Sequence, residues 1–119
     1  MESPPQETAL KEAHIAAGAR LIDFAGWLMP VQYTGIKDEH LAVREKVGIF
    51  DISHMGQFFL DGPAAKDILN GLLTNNLDVL GVSEGQYTLM LNERGGVIDD
   101  LIAYRLGEDS WFLVVNASM

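Results

Sequence analysis

The sequence predicts an α+β fold in which helices lie on one side of an antiparallel sheet. Three segments place apolar residues at helical spacing, and three strand-like apolar segments follow one another at the end of the chain, separated by short polar turns. With 119 residues, of which 48% are hydrophobic and 21% charged, the chain has the composition of a globular protein. It is long enough for one core but shorter than two full-sized domains of roughly 100–150 residues each.

The first half of the chain combines two helices with two short extended pieces. Alanine and leucine recur at helical spacing over residues 7–17, which predicts the first helix. Residues 20–33, "RLIDFAGWLMPVQY", mix strand-forming residues with Gly26 and Pro30 and therefore predict two extended pieces with a break near Gly26. An apolar stripe returns from Ile36 onward, so a second helix is predicted to run from there to Gly48.

The second half predicts extended chain, one helix and a meander of strands. The stretch "IFDISHMGQFFLDG" is predicted to be extended and to close at the Gly62-Pro63 turn. Pro63 suits the first turn of a third helix, "PAAKDILNGLL", because that turn does not need its missing N–H. After the polar loop "TNNLD", three antiparallel strands are predicted in "GQYTLMLN", "VIDDLIAYRL" and "WFLVVNA".

Charge and composition exclude several classes of partner. A net charge of −9 opposes binding to nucleic-acid phosphates and to anionic lipid surfaces. The absence of cysteine excludes disulfides, thiolate metal ligands and a cysteine nucleophile. The N-terminal stretch is acidic, unlike a secretory or transit signal, and no apolar run approaches the ~20 residues that span a bilayer. We therefore expect a cytoplasmic protein with no nucleic-acid or membrane partner.

Two adjacent aspartates interrupt the predicted strand in "GGVIDDL". Because side chains alternate across a strand, Asp99 and Asp100 point to opposite faces of the sheet. Asp100 shares its face with four apolar or aromatic positions, which makes that face the more apolar one: Ile98, Ile102, Tyr104 and Leu106. If either face is covered, we expect Asp100 to be the carboxylate that becomes partly desolvated.

The aspartate pair also has a purely structural interpretation. Both residues would then sit near a strand end after the Gly95-Gly96 turn, with one carboxylate solvated and the other accepting backbone N–H groups. The residue pattern alone favours this interpretation, because aspartate is common beside turns.

Other chemical motifs are weaker. The stretch "DISH" contains Asp51, Ser53 and His54, but neighbours on an extended segment diverge and do not form a catalytic triad. His14 and His40 lie on predicted helices without partners at metal-ligand spacing, so no metal site is expected. The aromatic side chains are mostly core residues by default.

Several stretches occur together in an order and spacing that closely resemble one family. They include "DFAGWLMPVQY", "DEHLAVREKVGIFDISHMGQ", "GPAA", "LLTNN", "YTLMLNERGGVIDDLIAYRL" and "LVVNAS". From about Leu10 onward, the chain resembles the N-terminal part of the glycine cleavage system T-protein, a tetrahydrofolate-dependent aminomethyltransferase. Proteins of this family are much longer, so the resemblance implies an N-terminal fragment that is not fully active alone.

The resemblance implies a reaction, a partner and a set of site residues. Family members transfer the one-carbon unit of the aminomethyl group on lipoylated H-protein to tetrahydrofolate, with release of ammonia and without a metal. The family's key acidic residue falls on Asp100. Folate-contacting positions fall on Asp100 and on five further residues: Met55, Tyr87, Ile102, Tyr104 and Asn116.

The resemblance also implies a domain division. Residues 1–50 would form the N-terminal part of a first folate-binding domain, a helical and extended segment. Residues 51–119 would form an incomplete second domain, a partial ferredoxin-like unit. Two alternatives remain open from sequence: a folate-dependent demethylase or folate-binding regulatory protein of the same superfamily, and an inactive α+β interaction module.

Overall fold

A computed structural model describes residues 4–117, which divide into two compact units, residues 4–54 and residues 55–117. The α+β prediction is confirmed, since three helices accompany two separate sheets. The predicted domain division after residue 50 stays a prediction, and residues 1–3 and 118–119 of its two ranges lie outside the described residues. Within the described part of the chain, no helix has both the length and the apolar character needed to cross a bilayer.

The first unit has a three-stranded sheet and two helices. Its elements are β1 (Gln6–Glu7), α1 (Lys11–Ala16), β2 (Arg20–Phe24), β3 (Trp27–Gln32) and α2 (Ile36–Glu45). The sheet order is β1-β3-β2, with β1 parallel and β2 antiparallel to β3. The predicted break near Gly26 is confirmed, because Ala25 and Gly26 adopt positive φ values of 52° and 83° in the β2–β3 turn.

The predicted first helix is wrong at its start. Residues 7–17 were expected to be helical, but α1 begins only at Lys11, and Glu7 lies in β1, paired with Leu28. The Gln6 backbone N–H donates to the Gly26 carbonyl at 2.7 Å, so a tertiary hydrogen bond outweighs local helix propensity here.

The second unit is a four-stranded antiparallel sheet with one helix against it. Its elements are β4 (Gly56–Asp61), α3 (Ala65–Leu72), a 3₁₀ turn (Leu77–Val79), β5 (Gly85–Leu91), β6 (Val97–Arg105) and β7 (Ser110–Val115). The sheet order is β4-β7-β6-β5, which confirms the predicted meander and places β4 beside β7. The stretch predicted to be extended from Ile49 onward contains regular strand only over β4.

The hydrophobic core of the second unit lies between α3 and one face of the sheet. The helix contributes Ala65 and Leu69, and the strands contribute inward side chains at alternate positions. The buried cluster consists of Ala65, Leu69, Leu73, Leu77, Leu80, Leu101, Ala103, Trp111 and Leu113. This packing leaves the opposite face of the sheet open, and that face carries Asp100 and Ile102 as exposed residues.

Candidate functional site

The open face of the second sheet is organised as three cross-strand rows. Strand register places side chains of neighbouring strands opposite one another, so each row crosses the sheet. The first row holds Leu89 and Asp100, the second holds Tyr87, Ile102, Val114 and Gln57, and the third holds Gly85, Tyr104, Phe112 and Phe59. Four of the six predicted site residues therefore share this face.

Asp100 is held by two side chains, one from the neighbouring strand β5 and one from the residue that follows β7. The Tyr87 hydroxyl donates to Asp100 Oδ2 at 3.0 Å, and the Asn116 side-chain amide lies 3.0 Å from Asp100 Oδ1. The hydrogen bond to the Asp100 carboxylate, with a contribution from its negative charge, raises the pKa of the Tyr87 phenol. Tyr87, Asp100 and Asn116 are thus one hydrogen-bonded group.

Asp99 is the buried member of the aspartate pair. It is only 7% exposed, and its carboxylate accepts the Asn116 backbone N–H at 3.1 Å and the Asn116 side-chain amide at 2.8 Å. The expectation that Asp100 is the desolvated carboxylate is therefore wrong for this chain. The cause is that α3 covers the face that carries Leu101 and Asp99. The residues of β6 make this the less apolar of the two faces, so the sequence favoured the other face as the covered one. The structural interpretation, with one solvated and one N–H-accepting aspartate, describes both residues.

A β-bulge at Ile98 explains part of that error. Met90 pairs with Asp99 and Leu91 pairs with Val97, so Ile98 has no partner in the register. Ile98 and Asp99 line the same apolar cavity of about 300 Å³ on the covered face, beside Leu69 and Leu113 on α3 and β7. Strict alternation had assigned Ile98 to the face of Asp100, and the bulge changes that assignment.

Tyr104 lies in an aromatic row that depends on a glycine. Its ring centroid lies 6.0 Å from that of Phe112, which in turn stacks on Phe59 at 4.7 Å. A Cβ added at Gly85 would lie 2.6 Å from Cδ1 and Cε1 of Tyr104, closer than van der Waals contact permits. The absence of a side chain at Gly85 therefore allows the Tyr104 ring to occupy its position.

Replacing Gly85 with alanine should displace the Tyr104 ring and lower the free energy of unfolding by about 1–3 kcal/mol, as overpacking usually does. Urea unfolding and the ring-proton shifts of Tyr104 measure the two effects. The matched control is Gly71→Ala in α3, where an added Cβ meets nothing within 4 Å, and helix propensity should raise stability by up to about 1 kcal/mol. Unchanged Tyr104 shifts in Gly85→Ala would contradict the steric argument.

The remaining two predicted residues lie at one end of the sheet. Asn116 directly follows β7. Its side-chain amide contacts the carboxylates of both Asp99 and Asp100, and it also lies 3.0 Å from the Asp100 carbonyl oxygen. Met55 directly precedes β4, whose first residue pairs with Val115, so register places Met55 at the same end as Asn116. Met55 is half-buried. The structure thus brings five predicted residues together on or beside one face and puts Met55 at its end.

Sequence reasoning missed a buried cluster in the first unit. His14 Nε2 lies 2.7 Å from Asp51 Oδ2, and the Tyr33 hydroxyl lies 2.8 Å from His14 Nδ1. Thr8 also donates to Asp51 Oδ2 at 2.8 Å, and Ser53 donates to the other carboxylate oxygen through both its backbone N–H and its hydroxyl. No spacing rule connects residues 37 positions apart, so no sequence signal identifies this cluster.

The cluster changes the interpretation of "DISH". Asp51 bonds to His14 and not to His54, whose ring centroid lies 5.9 Å from that of Phe24. The expectation that the neighbours diverge is wrong for Ser53, because residues 53–54 form a turn and Ser53 donates to Asp51. Although burial by itself raises it, hydrogen bonds from Ser53, His14 and Thr8 hold the pKa of the Asp51 carboxyl well below its usual range. Over residues 4–117, no three His, Asp or Glu side chains are grouped closely enough to hold a metal ion.

Comparison with known proteins identifies one family. The family model described as "GCVT N-terminal domain" matches residues 10–119. An aminomethyltransferase of Prosthecochloris aestuarii is 53% identical over 113 residues, which cover 95% of this chain and 31% of that protein. An aminomethyltransferase of Thermus thermophilus is 51% identical over 113 residues, which cover 95% of this chain and 32% of that protein.

A solved structure gives the same result. The crystal structure of glycine cleavage system aminomethyltransferase T from Bartonella henselae matches with a TM-score of 0.90 and 42% identity. The match covers 95% of this chain and 32% of the other. The chain therefore spans about a third of the length of the relatives that it matches.

Proposed function

Because the chain belongs to the GCVT N-terminal domain family, we propose that it supplies the Asp100 side of a tetrahydrofolate site in an aminomethyltransferase of the glycine cleavage system. The reaction moves the one-carbon unit from aminomethyl-lipoyl H-protein to tetrahydrofolate and releases ammonia. The observation that carries the proposal is the shared face: Tyr87, Asp100, Ile102 and Tyr104 are neighbours on one open side of the sheet.

The donor and acceptor chemistry of this face suits a reduced pterin. A pterin edge presents N–H donors, and an ionised carboxylate accepts hydrogen bonds through two oxygens. Asp100 is exposed, and Tyr87 and Asn116 each contact one of its oxygens, which fixes the direction of the carboxylate. Asp100 would orient the folate and stabilise positive charge that develops as carbon is transferred.

The neighbouring rows would accommodate the rest of the ligand. Ile102 lies one row from Asp100 and Tyr104 lies two rows away, about 13 Å along the strand. An apolar side chain followed by a half-buried aromatic ring suits the flat ring system of a folate and limits water at the reacting carbon. The same proposal takes lipoylated H-protein as the protein partner and the cytoplasm as the compartment; the similarity to a glycine cleavage system aminomethyltransferase supports the partner.

Titration of the purified chain with tetrahydrofolate by calorimetry tests the proposal. We expect binding that Asp100→Asn and Asp100→Ala weaken by about 10- to 100-fold, since a hydrogen bond to a charged group contributes about 1.5–3 kcal/mol. The matched control is Asp109→Asn, an exposed acid between β6 and β7 at the other end of the sheet, which should bind as the wild type does.

Equal affinity of the wild type and both Asp100 variants would remove Asp100 from the site. In a protein that spans the full length of the relatives, ammonia release from aminomethylated H-protein distinguishes glycine cleavage from folate-dependent demethylation. Folate binding without ammonia release would contradict the aminomethyltransferase assignment.

A further inference from the structure

A second candidate site lies in the first unit, and it is independent of the folate proposal. It is the chain of contacts from Asp51 through His14 to Tyr33, with heavy-atom distances of 2.7 Å and 2.8 Å. The Asp51 and His14 side chains are 2% and 8% exposed, whereas Tyr33 is 40% exposed. The chain therefore leads from a buried carboxylate to a tyrosine that solvent reaches.

The positions of the protons follow from what each group can donate. The hydrogen bonds that Asp51 receives favour its ionised form, which can only accept, so His14 Nε2 must carry a hydrogen. In a neutral imidazole the other nitrogen, Nδ1, is then an acceptor. Tyr33 is the group that faces Nδ1, so in the neutral form of His14 the Tyr33 hydroxyl donates to a base. A carboxylate that fixes an imidazole tautomer and so aims a basic nitrogen at a hydroxyl is the arrangement that activates nucleophiles in hydrolases.

We propose that Tyr33 is a nucleophilic phenol that accepts an acyl group from activated esters, with His14 as its base and Asp51 as the positioning residue. The Tyr33 oxygen forms a bond to the acyl carbon as its proton moves to His14 Nδ1. The bond between that carbon and the leaving oxygen or sulfur breaks, and the leaving group departs as an anion. The imidazolium, held beside the Asp51 carboxylate, then gives its proton to solvent.

The surroundings of Tyr33 indicate the class of acyl donor. A cavity of about 340 Å³ in the first unit is lined by Tyr33 and mostly by apolar residues, among them Ala42, Val43, Val47 and Phe50. A cavity of this size and lining suits a small apolar acyl or aryl group. Glu39 also lines it, which opposes donors that carry a negative charge.

Tyr87 provides an internal comparison within the same chain. Its hydroxyl donates to the Asp100 carboxylate, which raises the pKa of the phenol and makes it a poorer nucleophile. Tyr87 is 60% exposed and Tyr33 is 40% exposed. If exposure controlled reactivity, Tyr87 would react first, whereas the hydrogen-bond geometry predicts that Tyr33 does.

The test is acylation of the folded chain by p-nitrophenyl acetate, with release of p-nitrophenolate followed by absorbance and the adducts located by mass spectrometry. A general base contributes about 10²–10⁴-fold, so acetylation of Tyr33 should exceed that of Tyr87 by at least about 10-fold. Tyr33→Phe should abolish the stoichiometric burst. His40→Gln, which removes the exposed histidine of α2, should leave the burst unchanged and so excludes general imidazole catalysis.

Asp51→Asn probes the positioning role. Its amide can donate to His14 Nε2, which allows the proton to shift to Nδ1 and removes the acceptor that faces Tyr33. We expect a folded Asp51→Asn chain to lose the preference for Tyr33. If that variant does not fold, two other measurements decide whether Tyr33 is the nucleophile. These are the location of the adducts on the wild type and the size of the burst in Tyr33→Phe. Acetylation of Tyr87 at a rate equal to or above that of Tyr33, or an undiminished burst in Tyr33→Phe, would overturn the proposal.

Discussion

Replacing Trp111 with alanine is expected to lower the free energy of unfolding of the second unit by about 3–5 kcal/mol, the usual cost of removing a large buried aromatic side chain. Trp111 is 0% exposed and belongs to the cluster in which Leu69 of α3 meets Leu101 and Leu113 of the sheet. The Arg105 guanidinium carbon also lies 5.7 Å from the Trp111 ring centroid, and that cation–π contact would be lost. Circular dichroism in urea measures the change without using tryptophan as the probe.

Trp111→Phe is the control for this prediction. It keeps an aromatic ring and removes only part of the volume, together with an indole N–H that has no hydrogen-bond partner among the described residues. Removing an unpaired buried donor should offset part of the lost packing, so the phenylalanine variant should be clearly more stable than the alanine variant. A loss below about 1 kcal/mol in Trp111→Ala would show that the cluster collapses into the space or does not hold the unit together.

Replacing Asp51 with alanine is expected to destabilise the first unit by about 2–6 kcal/mol, because it leaves the buried donors of His14 and Thr8 unpaired at about 1–3 kcal/mol each. His14, Thr8 and Ser53 would each lose the acceptor that they now share. The unit has little else that is buried: Met29 is its one buried hydrophobic residue over the described range 4–54. Fluorescence of Trp27 in β3, measured in a Trp111→Phe background, reports unfolding of this unit.

Asp51 should also make the stability of the first unit depend on acid pH. Hydrogen bonds in the folded state lower the pKa of Asp51 below its unfolded value of about 3.9, so the unfolded state binds the proton first. The contribution of Asp51 to the free energy of unfolding is therefore fully present above about pH 4–5. It is lost as the pH falls toward the lowered pKa that Asp51 has in the folded state. The difference in unfolding free energy between wild type and Asp51→Ala should shrink as the pH falls from 5 toward 2.

The matched control is Asp38→Ala, which removes an exposed acid from the first turn of α2 in the same unit. It should cost only about 0.3–1 kcal/mol, the usual effect of a charge at a helix terminus. A constant difference between wild type and Asp51→Ala over the acid range would contradict the proposed hydrogen-bonding role of Asp51.

Local patterns predicted most of the elements. Periodicity and turn residues indicated α2, α3 and the three strands of the meander, because each of these elements depends on contacts between residues near one another in sequence. The start of α1 was wrong because the backbone of Gln6 pairs with a segment about twenty residues further along the chain. Local propensity contains no information about such pairing.

For the candidate site, the sequence determined which residues share a strand face and, through the motifs that resemble one family, which positions to associate with folate. Alternation alone separated Asp99 from Asp100. It did not determine which face is covered, since that depends on where α3 packs and on the bulge at Ile98, and both are tertiary features. Only the tertiary structure shows Asp99 buried on Asn116 and brings His14, Tyr33 and Asp51 together, because these contacts join side chains separated by 17 to 37 positions.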